Sequence, residues 1–331
     1  MKVTIKDVAR ESGVSIATVS RVINNNGYVS DEIKEKVENT IVSLNYQVNG
    51  LAKSLKEEKT NMIGIIIPDI SNPYFMQIAK GLEDELESER YNLIFSSSNE
   101  DPVKETKLIN LLLEKRVEVI IIATTGGNEE LIKNVEKNGT KVILIDRYLD
   151  RDSGSFHLIL ENNFLGGYKL TQSIINQGHK KIGVVNGSFD VNTGSDRYKG
   201  FEKAIEDYKI QRSNELIYNG EFRESCGFKA VNKFIKSGEI PSGIIAFNNL
   251  MAIGVIKRLY ELGYNVPDDV CVASYGELDT MGLLNNLKIN FIKQKPYEMG
   301  IETGKVLKRM VDENLIEPHI SVYEPELCIE R

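Results

Sequence analysis

The chain has 331 residues, of which 41% are hydrophobic and 27% are charged, and its formal net charge at pH 7 is −7. Such a chain can bury a sizeable core and is expected to divide into two or three domains. The acidic balance argues against a protein that coats nucleic acid non-specifically. Its longest apolar runs, 63–68 and 117–123, have the length of strands. We therefore predict no membrane association and, without a secretory signal, a cytoplasmic protein.

The residues of metal and redox chemistry are few. Cys226, Cys271 and Cys328 are far apart with no C-x-x-C pair, and only three histidines occur. Neither a disulfide framework nor a zinc site is predicted, and we expect three reduced thiols, no metal and no cofactor. The spacings of a dinucleotide fingerprint, a P-loop or a Ser-His-Asp set are also missing, so an enzyme is not expected.

Residues 4–24 have the pattern of two short helices joined by a glycine turn. Thr4 can cap the first helix with Asp7 three residues later, Gly13 ends it, and Ser15 can cap the second. Three residues at helical spacing form the apolar stripe of the second helix: Val19, Val22 and Ile23. This is the layout of a helix-turn-helix.

A third helix is predicted to begin at Ser30 and to cover the first two. Its buried face consists of four apolar residues: Ile33, Val37, Ile41 and Leu44. Three helices in about 45 residues suit a small DNA-binding headpiece, although any small helical domain has the same outline.

The residue string itself resembles a known family. Thr-Ile-x-Asp-Val-Ala, followed by Gly-Val-Ser-x-x-Thr-Val-Ser-Arg-Val-Ile-Asn, is similar to the headpiece of the lactose-repressor (LacI) family of bacterial transcription regulators. The similarity continues through 44–55, which resemble the family's hinge helix, and then through the rest of the chain. The resemblance implies a helix-turn-helix domain at 1–47, a hinge helix and linker at 48–60, and an effector-binding and dimerisation core at 61–331.

From residue 61 short apolar strands alternate with amphipathic helices, which indicates parallel sheets covered on both faces. Strands are predicted at 63–68, 93–97, 119–122 and 141–145, with helices at 72–90, 104–115 and 129–138. The alternation restarts with helices at 165–177, 195–208, 226–236 and 251–262, and strands at 181–186, near 216, at 243–247 and at 270–275. Two α/β lobes follow, with a ligand cleft between them at the carboxyl ends of the strands.

The resemblance implies a periplasmic-binding-protein-like core. On that pattern the first lobe comprises about 61–161 and 290–322, and the second comprises about 162–289 and 323–331. The last strand, 290–294, and the helix at 299–311 would both return to the first lobe.

Base reading requires side chains on the solvent face of the recognition helix near its beginning, and Ile16, Ala17, Ser20 and Arg21 qualify. Arg21 can pair with guanine through two hydrogen bonds, a contact worth about 1–3 kcal/mol of discrimination. Four further residues are candidates for phosphate contacts, with helix capping as their alternative role: Thr4, Ser15, Thr18 and Asn24.

The resemblance adds the hinge, in which Leu55 corresponds to the family's leucine wedge in the minor groove and Ala52 and Lys53 to phosphate contacts. Burial in the core is the alternative for Leu55. The pair Ile16 and Ala17 is similar to the Met-Ala pair of the catabolite-control branch, which implies an operator of that kind.

The resemblance also maps ten residues to the cleft: Asp69, Asn72, Tyr74, Phe75, Asp146, Arg147, Arg197, Asn248, Tyr275 and Glu277. Polar groups beside aromatic rings suit a sugar, and Arg147 or Arg197 suits a phosphate. Ordinary salt bridges between the lobes are the alternative. Asn249 and Gly276 stand where the family has carboxylates, which favours a phosphorylated or anionic effector, or none.

We expect a homodimeric regulator, by family frequency a repressor, that binds double-stranded operator DNA under the control of a sugar or a phosphorylated sugar. An alternative within regulation is control by a partner protein, such as a phosphocarrier-type corepressor. Remoter alternatives are a solute-binding protein and an enzyme.

Overall fold

The computed structural model describes residues 3–24, 26–46, 60–87, 89, 91–149, 156–238, 240–278, 287–312 and 317–329. The chain divides into two compact units, Met1–Thr60 and Asn61–Arg331. The predicted hinge at 48–60, with Ala52, Lys53 and Leu55, lies outside the described residues except for Thr60.

The first unit contains three helices in its described part, α1 (Ile5–Ser12), α2 (Ile16–Asn24) and α3 (Asp31–Ser43). Five buried residues contributed by all three helices form its core: Val8, Ala9, Val19, Val22 and Val37. The predicted third helix and its apolar face are confirmed, with Ile33, Ile41 and Leu44 partly buried against this core.

Local hydrogen bonds explain where these helices begin and end. The Asp7 carboxylate accepts from the backbone N–H of Thr4 at 3.0 Å and from its hydroxyl at 2.7 Å. Gly13 ends α1 in the left-handed conformation at φ +66°, which glycine adopts without steric cost. The Ser15 hydroxyl oxygen accepts from the backbone N–H of Thr18 at 3.1 Å. The capping predictions for this turn are therefore confirmed.

The second unit has two lobes, each built on a six-stranded sheet. The strands of the first sheet are β1 (Met62–Ile67), β2 (Asn92–Ser97), β3 (Val119–Ile122), β4 (Lys141–Ile145), β5 (His157–Glu161) and β11 (Ile320–Tyr323). Their spatial order is β11, β5, β4, β3, β1, β2, and every pair is parallel. The sequence analysis did not predict β5.

Helices cover both faces of this sheet. They are α4 (Pro73–Leu86), α5 (Pro102–Glu114), α6 (Glu129–Lys137) and α11 (Pro296–Asp312). Buried residues of α4 and α11 share one apolar cluster, whereas those of α5 and α6 share the other. This layered arrangement explains why the strands are almost continuously apolar.

The second sheet contains β6 (Ile182–Asn186), β7 (Ile217–Asn219), β8 (Gly243–Ala246), β9 (Cys271–Tyr275), β10 (Asn290–Lys293) and β12 (Glu326–Cys328). Their order is β12, β10, β9, β8, β6, β7, and only the β10–β12 pair is antiparallel among the described strands. Its helices are α7 (Asn163–Asn176), α8 (Asn192–Asp207), α9 (Glu224–Lys236) and α10 (Asn249–Glu261).

The assignment of the strand near residue 290 to the first lobe is wrong. Strand β10 pairs with β9, and its Ile292 is buried in the core of the second lobe. Only the following helix, α11, packs in the first lobe, so the chain crosses between Lys293 and Pro296. The other two crossings follow Glu161 and Tyr323, whose strands β5 and β11 pair at these residues.

Three further points concern the described residues. No helix among them is long and apolar enough to cross a membrane. The three cysteines are free thiols. Helices α7 and α8 cross closely at glycine, since a Cβ on Gly167 would lie 2.2 Å from the carbonyl oxygen of Arg197. The backbone of α7 therefore lies directly against the backbone of Arg197.

Candidate functional site

One candidate site is the outer face of helix α2. Ile16, Ala17 and Arg21 are exposed on it and Ser20 is half-buried, whereas Val19 and Val22 point into the core. The face thus offers apolar surface at the beginning of the helix and one cation further along. In a recognition helix these are the positions that reach base edges in the major groove.

Arg21 is the one guanidinium on this face, and its exposed side chain makes no hydrogen bond or ion pair with the residues that the structure describes. Arg10 on α1 differs, because it pairs with Asp7 at 2.8 Å. An unpaired exposed guanidinium keeps all five N–H donors for a partner outside the chain.

The four predicted phosphate contacts all have local roles in the structure. Thr4, Ser15 and Thr18 take part in the caps of α1 and α2. The Asn24 side chain donates to the carbonyl oxygen of Ser20 at 2.9 Å. Capping and phosphate binding are compatible, because an exposed hydroxyl or amide retains further hydrogen-bonding capacity.

The sequence analysis did not single out Tyr28, whose side chain is 91% exposed in the turn between α2 and α3. The adjacent Gly27 lies beside the Arg21 side chain, since a Cβ there would be 3.8 Å from Arg21 Cδ. An exposed phenol in this turn is a further hydrogen-bond donor near the end of α2 in the chain.

The second candidate site is a cavity of about 280 Å³ between the two lobes of the core. Its walls come from the segments that follow strands β1, β2, β4, β6, β7, β8 and β10, including the first turns of helices α4, α8 and α10. Its lining residues are Asp69, Asn72, Tyr74, Phe75, Asn99, Glu100, Asp146, Arg147, Thr193, Arg197, Glu221, Phe222, Arg223, Asn248, Asn249, Leu250 and Gln294. The volume is near the lower limit of about 300–1,000 Å³ for ligand pockets, which suits a small ligand.

Eight of the ten predicted cleft residues line this cavity. Tyr275 and Glu277 do not. Tyr275 lies beneath Arg197, whose guanidinium carbon is 3.7 Å from the centre of the phenol ring. Glu277 is exposed beside a neighbouring hollow that it shares with Gly276 and Gln294.

Arg147 is buried, and the hydrogen bonds of its terminal nitrogens stay within its own lobe. Its two terminal nitrogens donate to both carboxylate oxygens of Glu100 at 2.8 and 2.7 Å, and one of them also donates to the carbonyl oxygen of Thr124 at 3.0 Å. The guanidinium lies over the Phe222 ring at 5.1 Å, and the neighbouring Glu100 carboxylate raises its pKa against the opposing effect of burial.

Arg197 is held from behind in a similar way. Its Nε donates to Asn163 Oδ1 at 2.7 Å and one terminal nitrogen donates to the carbonyl oxygen of Phe247 at 2.6 Å. Tyr275 lies below the guanidinium, and the Arg197 side chain lines the cavity. Arg197 is therefore a preorganised donor.

Asp146 supplies an acceptor on the opposite wall. It follows β4 in the left-handed conformation at φ +63°, and its Oδ1 accepts from the Tyr74 hydroxyl at 2.8 Å. Burial and the nearby Asp146 raise the pKa of the Tyr74 phenol well above its ordinary value. Tyr74 thus stays a donor at neutral pH and orients the carboxylate.

Three asparagines build the walls by capping helices and bridging the lobes. Asn72 accepts from the backbone N–H of Tyr74 at 3.1 Å and caps α4, and Asn248 accepts from that of Met251 at 2.7 Å and caps α10. The side chains of Asn72 and Asn249 also exchange hydrogen bonds between the lobes at 3.4 and 3.2 Å.

Further bonds between the lobes surround the cavity. Tyr148 donates through its hydroxyl to Asp196 at 2.9 Å and through its backbone N–H to Asn192 at 3.0 Å. Arg223 donates to the carbonyl oxygen of Asn99 at 3.2 Å. Salt bridges between the lobes, the alternative role of these residues, are not formed by Arg147 or Arg197 among the described contacts, because the hydrogen bonds of both arginines stay within their own lobe.

The sequence analysis missed the wall contributed by Asn99, Glu100, Phe222 and Gln294. Each of the four comes shortly after a strand of one of the two sheets, so the strand-end rule that located the other residues applied to them as well. Within the described part of the core no group of three or more His, Cys, Asp or Glu has the arrangement of a metal site.

Comparisons with known proteins identify the family of both units. Residues 4–49 match the family described as bacterial regulatory proteins, lacI family, and residues 63–315 match the periplasmic binding protein domain. The chain is 30% identical to the HTH-type transcriptional repressor PurR of Actinobacillus pleuropneumoniae serotype 3, over 99% of this chain and 97% of the relative. It is 31% identical to catabolite control protein A of Priestia megaterium, over 97% and 96%.

The fold has the same architecture as a solved structure of the Lac repressor bound to ONPG in the repressed state. The TM-score is 0.84 at 21% identity, and the match covers 100% of this chain and 99% of the other. The expected combination of a helix-turn-helix unit and a two-lobed α/β core is therefore confirmed.

Proposed function

Because the chain belongs to the lacI family of bacterial regulatory proteins, we propose that it binds a pseudo-palindromic operator as a cytoplasmic homodimer and that a small hydroxyl-rich molecule in the cleft controls this binding. Family membership identifies a transcriptional regulator and not an enzyme, and named relatives are repressors. The proposal therefore concerns which residues read DNA and what the cleft accepts.

The observation that carries the DNA-binding part is the unpaired Arg21 on the exposed face of α2. Residues 1–60 contain nine Lys or Arg and eight Asp or Glu, so bulk charge supplies little affinity. Affinity must then come from placed contacts and from two headpieces acting together. A dimer with a two-fold axis suits a palindromic site.

Arg21→Ala is expected to weaken binding to the selected operator by about 1–3 kcal/mol while leaving binding to random DNA nearly unchanged. The operator is first selected from a random-sequence library by the purified wild-type protein. Both affinities are then measured by fluorescence anisotropy at one fixed salt concentration, because phosphate contacts depend strongly on salt.

Arg10→Ala is the matched control, since it removes the same charge from the same unit but from a residue already paired with Asp7. It should lower both affinities slightly and equally. An equal loss on operator and random DNA in the Arg21 variant would contradict the base-reading role, and a failure to select any motif would count against the regulator proposal itself.

The cleft part of the proposal rests on the chemistry of the cavity. Hydroxyl groups need donors and acceptors in pairs, which Arg197 and Asp146 offer from opposite walls. Tyr74, Phe75 and Phe222 add flat apolar surface for the faces of a sugar ring. The cavity size suits a monosaccharide better than a larger ligand.

Arg197→Lys is expected to lower the affinity for the bound sugar at least roughly tenfold, because an ammonium cannot reproduce the planar contacts with Asn163, Phe247 and Tyr275. Titration calorimetry with a panel of neutral mono- and disaccharides measures the effect. Arg258→Lys is the control, since this arginine also stacks on a ring, Phe228, but lies outside the cavity.

Control by a partner protein predicts a different result. In that case none of the sugars binds to the wild type, and operator affinity changes only when a phosphocarrier-type protein is added. A cleft ligand can change operator affinity only if it binds more tightly to one arrangement of the lobes than to another.

A further inference from the structure

The carboxylate of Glu100 occupies the place that an anionic ligand would need in the cavity. It faces both terminal nitrogens of Arg147 in a two-point ion pair, with the Arg147 side chain 3% and the Glu100 side chain 14% exposed. A guanidinium uses the same two-point geometry for phosphate and for carboxylate. Glu100 therefore occupies the position on Arg147 at which an anionic ligand would bind.

The turn that carries Glu100 is unusual. Asn99 and Glu100 are consecutive non-glycine residues with φ values of +57° and +56°, a left-handed conformation that costs about 1 kcal/mol or more for each residue. Hydrogen bonds hold the turn on both sides. The Glu100 backbone N–H donates to the carbonyl oxygen of Pro68 at 3.3 Å, and the Asn99 carbonyl oxygen accepts from Arg223 at 3.2 Å.

The other charged groups of the cavity would not neutralise the negative charge of a bound anion. The Nε of Arg147 faces Asp146 at 3.8 Å, and Asp69 and Glu221 add two further carboxylates to the walls. The lining thus has four carboxylates, at Asp69, Glu100, Asp146 and Glu221, and three guanidinium groups, at Arg147, Arg197 and Arg223. The buried Glu161 lies close enough to interact with Asp146 and Arg197.

We propose that Glu100 is a specificity-determining residue that neutralises Arg147 and makes the cleft select a neutral hydroxyl-rich ligand against its phosphorylated counterpart. The proposal rests on the proposed function of the cleft as the effector site. It reverses the expectation, drawn from the residues at 249 and 276, that an anionic effector is favoured. The strained turn delivers this carboxylate to the cavity.

The test uses the full chain and inorganic phosphate as the probe, with titration calorimetry on the wild type, Glu100→Gln and Glu221→Gln. Glu100→Gln should bind phosphate at least roughly tenfold more tightly than the wild type, because Arg147 loses its internal partner. Glu221→Gln removes the same charge from the half-open rim, where the side chain is 66% exposed. Because Glu221 pairs with Arg223 and not with Arg147, its removal should raise phosphate affinity much less than Glu100→Gln does.

A double variant, Glu100→Gln with Arg147→Gln, locates the bound phosphate. The gain should disappear in it, and a gain that survives would overturn the proposal. The proposal also fails if Glu100→Gln binds phosphate no better than the wild type, or if the wild type already binds it through Arg147. If Glu100→Gln does not fold, as judged by far-UV circular dichroism, Glu100→Asp withdraws the carboxylate and should give a smaller gain of the same sign.

Operator selection by the wild-type protein distinguishes a failure of the proposed function from a failure of the role proposed for Glu100. Phosphate binding to the cleft is measured without DNA. The effect of Glu100 on ligand selectivity can therefore be tested even if no operator is selected. If the wild type selects an operator but Glu100→Gln gains no phosphate affinity, the proposed function as a regulator stands and only the role of Glu100 is rejected.

Discussion

Gly167→Ala is expected to lower the free energy of unfolding by about 2–3 kcal/mol and to weaken sugar binding in the cleft. A Cβ at Gly167 would lie 2.2 Å from the carbonyl oxygen and 2.9 Å from the Cα of Arg197. Helix α8 must then move away from α7, and the guanidinium of Arg197 moves with it relative to Asn163 and Phe247. Urea unfolding and sugar calorimetry measure the two effects.

Gly300→Ala is the matched control for this prediction. Its Cβ would lie 2.1 Å from the carbonyl oxygen of Ile78, so it creates the same kind of backbone clash between α11 and α4, away from Arg197. We expect a comparable loss of stability with unchanged sugar affinity. Equal sugar affinities in the two variants would contradict the idea that the crossing of α7 and α8 positions the Arg197 guanidinium.

The headpiece was predicted from sequence in detail because its signals are local. Each of these signals involves residues that are close in the sequence. They are the caps at Thr4 and Ser15 and the end of α1 at Gly13, and the structure confirms all three. The exposed face of α2 follows from the same helical spacing. What the spacing does not provide is the exposure of Tyr28, which depends on the path of the turn before α3.

In the core, local sequence patterns do not predict which strands pair or which side chains meet. An apolar strand such as β10 fits either sheet, and only its pairing with β9 decides that it belongs to the second lobe. The strand-end rule located the cleft and eight of its residues, since it depends on topology alone. It did not find the ion pair of Arg147 with Glu100, because the two residues are 47 positions apart in the sequence and the turn that brings Glu100 to the cavity has two left-handed residues.

Glu161→Gln is expected to remove a pH-dependent loss of stability of about 3 kcal/mol between pH 5 and pH 8. Glu161 ends β5 and is 5% exposed, at the point where the chain first crosses between the lobes. Its Oε2 accepts from Gln294 at 2.7 Å, whereas Oε1 has no hydrogen-bond partner among the described residues. Burial raises the pKa of this carboxyl to about 7 and outweighs the lowering effect of Arg197.

A carboxyl whose pKa is higher in the folded than in the unfolded chain stabilises the fold while it is protonated. Its contribution is complete below the unfolded pKa of about 4.5 and is lost as the pH rises through about 7. The wild type should therefore become less stable than Glu161→Gln as the pH rises from 5 to 8, because the amide stays neutral and can still accept from Gln294.

Urea unfolding of both proteins across this range measures the difference directly. Glu136, whose pKa burial also raises to about 7, is present in both proteins and so cancels. Glu136→Gln serves as the second comparison, with a smaller effect expected for a half-buried side chain. Parallel stability curves for wild type and Glu161→Gln would mean that Glu161 is already ionised at pH 5, stabilised by Arg197. Converging curves at low pH would instead show that Glu161 is a proton-linked group at the crossing between the lobes.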